Sequence, residues 1–279
     1  MIFASDLDQT LIYSRKSFHT NIEEEQIRLV ETLDGKEVSF ITHKAISLLQ
    51  KLQLRAQFIP VTTRTVEQFQ RITLFQTEVI PEYAITSNGG NILHNGKEDF
   101  VWKEKIQKKL SSECLEKEAV LKEFQRISHK SWVISQKTAD HLFHYCIIKR
   151  EHIPNEELAF FTIWLDEQGW TYSLQGKKLY FLPKPVNKWD SIQYLKENLQ
   201  ENTVITAGDS LLDLCMLEEA NHAFAPLHGE LVTKQNNFSP HILKIKEIGI
   251  YASEEILNNA LKLIYRFPTE DTFPKNVKV

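Results

Sequence analysis

Two aspartates one residue apart, Asp6 and Asp8, end the apolar run that opens the sequence, and Thr10 follows them. Side chains alternate along a strand, so two residues separated by one project the same way. At the carboxyl end of a strand in an open parallel sheet, where such sheets bind ligands, the pair would share one small volume. Adjacent carboxylates repel, and a proton on one or a cation between them relieves the repulsion. The first state supplies an acid and the second a metal centre. An isolated pair of this kind reads as a solvated turn; the rest of the chain gives this one weight. VTTRT carries Thr62, Thr63 and Arg64, GDSLLD carries Asp209 and Asp213, and Lys188 opens a helical segment ahead of the latter. Gathered at one sheet edge, Asp6, Asp8, Asp209 and Asp213 could not all stay ionised without compensation. A hard divalent cation held through oxygen answers that need, and Mg2+ suits a few carboxylates, water and a substrate phosphate.

The elements that must place these residues follow from periodicity. The opening run, β-branched and aromatic, reads as a buried strand. LIYSRKSFHTNIEEE is a polar excursion rather than a helix. IRLVETLDGKEVSFIT alternates on both sides of Asp34-Gly35, which predicts a hairpin over about 27–42. Thr42 is placed to cap a helix whose apolar face is Ala45, Ile46, Leu48, Leu49 and Leu52. QFIPVTTRT reads as a second buried strand, TVEQFQRITLF as an amphipathic helix and EYAITSNGG as a third strand running into a glycine turn. Strand, helix, strand, helix, strand predicts a parallel α/β sheet. The alternation returns late in the chain. A helix is expected from Asn187 to Leu199, a strand in TVITAGDS, a helix in LLDLCMLEEA, short strands in AFAPL and HILKIKE, and a closing helix from Glu254 to Arg266. The last dozen residues, with two prolines, read as a loose tail.

Between the two halves the pattern changes, with boundary signals at Gly89-Gly90 and Pro183-Lys184-Pro185. A long charged helix is expected from about Lys103 to His129, then strands around Trp132–Ser135 and Leu142–Lys149. A second helix runs from Pro154, suited to a first helical position, to about Gln168, where Gly169 ends it. WTYSLQGKKLYFLP closes the segment as a hairpin. The prediction is an α/β protein of two parts: a parallel-sheet core, residues 1–90 and 184–279, and an inserted, hinged α+β domain, residues 91–183.

Composition sets limits on partners. The 279 residues suffice for about two domains. A formal net charge of -4 argues against a general nucleic-acid or membrane-surface binder, whose footprint is basic. Cys114, Cys146 and Cys215 are far apart and form no CxxC, which reads as reduced thiols in a cytoplasmic protein. No signal peptide or membrane-spanning stretch is expected.

Asp6-Leu7-Asp8-Gln9-Thr10, Thr62, Lys188 and Gly208-Asp209-Ser210-Leu211-Leu212-Asp213 resemble, in order, the four motifs of haloacid dehalogenase-like (HAD) phosphohydrolases. The insert resembles the α+β cap of the type IIB branch, which includes sucrose-phosphate and trehalose-phosphate phosphatases, other sugar phosphatases and phosphomannomutases. The resemblance implies a Rossmann-like core, and it puts the Asp34-Gly35 hairpin in the place of the family's flap. It further implies that Asp6 attacks phosphorus to form an aspartyl-phosphate, and that Asp8 protonates the leaving oxygen and later deprotonates water. Asp8 would have to arrive protonated, which neighbouring negative charge favours. Thr62 would donate to a phosphoryl oxygen and Lys188 would neutralise Asp6 and phosphate. Asp6, Asp209 and the backbone carbonyl of Asp8 would bind Mg2+, with Asp213 contributing directly or through water. Many relatives carry Asn where this chain has Leu212, so a polar contact of the last motif is lost.

Other readings stand beside these. Thr62 could instead cap the next helix, with Thr63 in its place; Lys188 could be a solvated helix lysine; Arg64 could form a structural ion pair; Asp213 could be a first-turn acid favoured by the helix dipole. In this branch the cap selects the leaving group. Of Trp132, Phe143, Tyr145, Trp164, Trp170, Tyr172 and Tyr180 most should be core, one or two at the mouth. Thr63, Arg64, Asn88, Lys177 and Lys178 are candidate substrate contacts; His141, His144 and Arg150 are weaker ones. The string FASDLDQTLIYS is also similar to phosphatases of bacterial stress-response gene clusters, which favours a ribosyl- or nucleotide-like ester. The expected activity is hydrolysis of a small sugar-like or nucleotide-like phosphomonoester by a monomer or weak dimer. A phosphomutase and a non-catalytic phosphate sensor are the alternatives.

Overall fold

Ile2, Phe3 and Ala4 are wholly buried and form β1 (Ile2–Ser5). Alternation divides them: Phe3 joins the apolar cluster on one face of the sheet, Ile2 and Ala4 the cluster on the other. The computed structural model describes residues 1–234 and 239–266. The tail expected over the last dozen residues lies outside them.

The chain continues through β2 (Ile27–Leu33), β3 (Lys36–Thr42), α1 (His43–Gln53), β4 (Gln57–Pro60), α2 (Val66–Gln70), α3 (Leu74–Thr77) and β5 (Tyr83–Thr86). Next come β6 (Asn91–His94), β7 (Lys97–Glu98), α4 (Phe100–Glu113), α5 (Lys117–Phe124), β8 (Val133–Ala139), β9 (Phe143–Ile148), α6 (Asn155–Glu167), β10 (Trp170–Gln175) and β11 (Lys178–Pro183). The remainder is α7 (Lys188–Asn198), β12 (Val204–Ala207), α8 (Leu214–Glu219), β13 (His222–Pro226), α9 (Glu230–Lys234), β14 (Ile242–Ile245) and α10 (Ala252–Arg266). The polar excursion after Thr10 holds two short 3-10 turns.

The core sheet has the order β14-β13-β12-β1-β4, every pair parallel. β1 is central, with Ile2 opposite Val204 on one side and Gln57 on the other. Parallel pairing brings the carboxyl ends of β1, β4 and β12 to one edge, and there the polar signatures begin. β5 extends this edge through a parallel bridge between Val61 and Ile85. α1 starts as expected: Thr42 accepts the Ala45 N–H, and Ala45, Ile46, Leu48, Leu49 and Leu52 are buried. At the hairpin turn Asp34 and Gly35 are both left-handed, φ 50° and 72°, as a type I′ turn requires.

Three expectations are corrected. TVEQFQRITLF is two short helices, because Thr73 leaves helical pairing and gives both its N–H and its hydroxyl to Val30 O in β2. The charged helix is likewise broken, into α4 and α5. There Cys114 is extended, the Leu115 N–H bonds Gln168 O, and the Trp170 indole N–H bonds Leu115 O. Residues 91–98, expected to open the insert, pair with β5 as an antiparallel β5-β6-β7 ribbon.

The four-stranded antiparallel sheet β10-β11-β9-β8 has two occupied faces. Leu179 and Phe181 of β11 pack with Phe124, Trp132, Phe161 and Trp170 against α5 and α6. Tyr180 and Leu182, alternating with them, face the cluster shared with Ile59 and Val61 of the core. The first of these faces gives the insert its own interior; the second seats it on the core. Cys114, Cys146 and Cys215 are all free thiols.

Candidate active site

Asp6 leaves β1 with its N–H bonded to Ala207 O at 2.8 Å, so β12 fixes its backbone. Asn187 accepts the Asp190 N–H and starts α7, and the residue it starts with is Lys188. That lysine is 0% exposed. A buried ammonium must be paired, and Nζ lies 2.7 Å from Asp6 Oδ1, 2.5 Å from Asp213 Oδ1 and 3.2 Å from Val61 O. The solvated-lysine alternative is excluded. The two carboxylates outweigh desolvation and hold the ammonium protonated.

Asp213 is committed to its own loop as well. Its Oδ2 accepts the N–H of Asp209 at 3.1 Å and both the N–H and hydroxyl of Ser210 at 2.8 Å. Gly208 permits this, since a Cβ there would collide with the Asp213 carboxylate. Asp6, Asp209 and Asp213 are buried and offer oxygens within 4.8 Å of one another. Burial, opposed by Lys188 and reinforced by Asp213 and Asp8, pushes the Asp6 carboxyl up to about 7. Burial, then the charges of Asp6 and Asp213, raise Asp209 well above its ordinary value. Such a set of desolvated hard oxygens fits a divalent cation such as Mg2+. Asp6 and Asp209 are the members with oxygen to spare, because Asp213 already accepts four hydrogen bonds.

Asp8 is placed differently from its expectation. Its side chain is 51% exposed and does not join the three buried acids. Arg64 grips it with two bonds of 2.8 Å, from Nε to Oδ2 and from Nη2 to Oδ1. The loss of water on the cavity side opposes ionisation of Asp8, but the Arg64 guanidinium outweighs it and holds the carboxyl below its usual range. Neighbouring acids therefore do not keep Asp8 protonated at rest, because a cation lies closer. Arg64 in turn donates to Glu31 at 2.7 Å, and Glu31, 1% exposed in β2, also accepts from Ser39 at 2.8 Å and Arg71 at 3.3 Å. The hairpin is thus wired to Asp8 through one arginine.

Thr62 is buried, and its hydroxyl accepts the Arg64 N–H at 3.1 Å. Thr63, by contrast, lines the main cavity. Asn88, proposed as a substrate contact, lies between the two crossings of the chain: its Nδ2 donates to Val186 O at 2.8 Å, and it does not line that cavity. The cavity measures about 910 Å3. Its floor includes Asp6, Asp8 and Asp209, and Lys177, Lys178 and Tyr180 stand on the opposite wall.

A sequence profile of the sucrose-6F-phosphate phosphohydrolase family matches residues 1–225. The chain belongs to this family. It is accordingly a phosphatase of the HAD superfamily. No curated protein sequence matches it significantly. Solved structures share its fold. A sucrose-phosphatase from Synechocystis sp., solved with sucrose and phosphate, is 17% identical with TM-score 0.68, over 95% of this chain and 98% of that one. A HAD subclass IIB sugar phosphatase is 12% identical with TM-score 0.62, over 95% and 99%. The trehalose-6-phosphate phosphatase of Aspergillus fumigatus is 13% identical with TM-score 0.54, over 95% and 92%.

Within this HAD phosphatase, Leu212 is half-buried and packs with the apolar cluster under the cap. Two further contacts at the site escaped the sequence reading. Gln9 reaches Asp209 at 3.5 Å. His228 accepts the Gly249 N–H on Nδ1 at 3.0 Å, so Nε2 carries the proton and donates to Gln9 O at 2.9 Å. A glutamine with φ 61° and a lone histidine carry no periodic signal; only the neighbouring DLD marked Gln9.

Proposed function

We propose that this phosphatase hydrolyses a small, sugar-like phosphomonoester with Mg2+ through an aspartyl-phosphate on Asp6. The carrying observation is the buried Lys188 bridge between Asp6 and Asp213 at the floor of a cavity lined by Asp8 and Asp209. The sugar phosphatases among the similar structures support the substrate class.

Lys188 holds Asp6 Oδ1, which leaves Oδ2, bonded among the described residues to the Thr10 hydroxyl at 3.5 Å, as the attacking atom. The new bond joins Oδ2 to phosphorus as the ester P–O bond breaks, and Asp8 gives its proton to the departing oxygen. Asp8, now a carboxylate, takes a proton from water; the water oxygen attacks phosphorus and the bond to Asp6 breaks. A bound Mg2+, for which Asp6 and Asp209 are the available ligands, would neutralise phosphoryl charge and align the phosphate. Before the first step Asp8 must leave Arg64. An arriving phosphate offers that guanidinium a second anion, and Asp8 then regains its proton. Thr63 and Arg64 hold the phosphate, and Asp213 positions Lys188 and the Asp209 loop. Residues 99–183 act as the cap, and the remainder, including the β5-β6-β7 ribbon, as the catalytic core.

The test is release of inorganic phosphate from p-nitrophenyl phosphate and a panel of sugar phosphates. Asp6→Asn should lower the rate by at least about a thousandfold. EDTA should abolish it and Mg2+ restore it, with no bisphosphate activator needed. Turnover surviving in Asp6→Asn would overturn the mechanism.

A further inference from the structure

The cavity wall contributed by the insert is charged in one sense. Arg150, Lys177 and Lys178 line it, and no carboxylate from the insert does. Arg150 follows the end of β9 and Lys177 precedes β11, and the Ile148 N–H bonds Lys177 O at 2.9 Å, so the two basic residues emerge side by side. Among the described residues neither is paired to a carboxylate, nor is Lys16 on the core side of the same cavity. Lys234, also on the core side, is occupied by Glu230.

This cluster is not a sample of a basic surface. The chain carries 37 acids against 33 lysines and arginines. Nor is it needed to balance the catalytic acids, which already have Lys188 and Arg64. Unpaired cations around a concave site attract and hold anions. The phosphate to be cleaved belongs at Asp6, on the floor. What meets the basic wall is therefore the leaving group.

We propose that the insert wall is a second anion subsite, built on Arg150 and Lys177, and that the preferred substrate is a phosphomonoester whose leaving group carries a second acid, phosphate or carboxylate. This rests on the phosphatase reading, and it separates the substrate from a neutral disaccharide phosphate. The volume of about 910 Å3 leaves room for both charged ends.

Binding is measured by titration calorimetry with Mg2+ present, in an Asp6→Asn background so that turnover does not interfere; Asp8→Asn replaces it if Asp6→Asn misfolds. Three probes are compared: glucose 6-phosphate, glucose 1,6-bisphosphate and 6-phosphogluconate. One or both of the doubly acidic probes should bind at least about tenfold more tightly than glucose 6-phosphate, a gap equal to about 1.4 kcal/mol. Adding Arg150→Ala and Lys177→Ala should close that gap while moving glucose 6-phosphate less than threefold. The bisphosphate alone or the phosphogluconate alone would identify which acid is bound. Equal or tighter binding of glucose 6-phosphate, a gap that survives the double substitution, or an equal loss for all three probes would overturn the proposal. Hydrolysis of p-nitrophenyl phosphate by the unsubstituted protein with Mg2+ tests the phosphatase reading separately: no release of phosphate would overturn that reading whatever the binding titrations show.

Discussion

Arg64 divides its guanidinium between two carboxylates of opposite environment, the exposed Asp8 and the buried Glu31. While it holds Asp8, that carboxyl ionises more readily than an ordinary one. The proposed mechanism has Asp8 donate a proton, and on that proposal kcat/KM should fall as pH rises past its pKa in the free enzyme. Arg64→Gln removes the cation, raises that pKa and should carry the high-pH limb of kcat/KM upward; a limb that stays put would mean that Arg64 does not set the proton. Glu31→Ala should cost about 1–3 kcal/mol in urea unfolding, since it leaves Arg64 with Asp8 and Arg71 with Glu67 as their remaining carboxylates and the Ser39 hydroxyl without its acceptor. The acids of the catalytic edge were legible because they end strands and sit at fixed spacings. Glu31 was not, because a carboxylate in an alternating hairpin reads as solvent-facing. Irregular pairing at Leu29/Glu31 and Glu31/Thr32 turns it inward, and only the two arginines make that tolerable.

At the scale of elements, the turn between β8 and β9 is a contact as much as a connection. Asp140 Oδ2 accepts the Val66 N–H at 3.0 Å, the Ser87 hydroxyl at 2.5 Å and the Asn91 amide at 2.9 Å. One carboxylate thus joins the insert to α2, to the segment after β5 and to β6. Asp140→Ala leaves three donors short of their acceptor and should cost about 1–3 kcal/mol. Amide exchange should quicken at 66–68 and 139–142 and not across β10 and β11; uniform quickening would refute the local account. That a turn lies here could be read from the flanking strands. Its partner could not, because no periodicity within β8 or β9 encodes what the turn touches. The division of the charged helix into α4 and α5 escaped for the same reason: its cause is the end of α6, far along the chain.

Across the whole molecule, one source of acid sensitivity lies in the insert. His144 is buried in β9, and burial, with the charge of Lys117, lowers it to about 4. Its neutral form therefore contributes stability in full above its ordinary value of 6.5, and the contribution is lost as pH falls toward 4. His144→Gln should remove that dependence, so thermal melts of wild type and variant should differ most in slope between pH 6.5 and 4; parallel curves would place the acid sensitivity elsewhere. Among the described residues no helix is long and apolar enough to cross a membrane.

The central position of β1 has a consequence for how the protein is made. Its partner on one side begins at Gln57 and on the other only at Val204. During synthesis one edge of an apolar strand stays open until the ribosome has passed Ala207, with the entire insert emerging first. Such an edge invites pairing between chains. Truncations that stop between β11 and β12 should collect in the pellet, however well the insert itself folds, and full-length yield should fall when translation is slowed between the codons for β4 and β12, which lengthens the time the edge stays open.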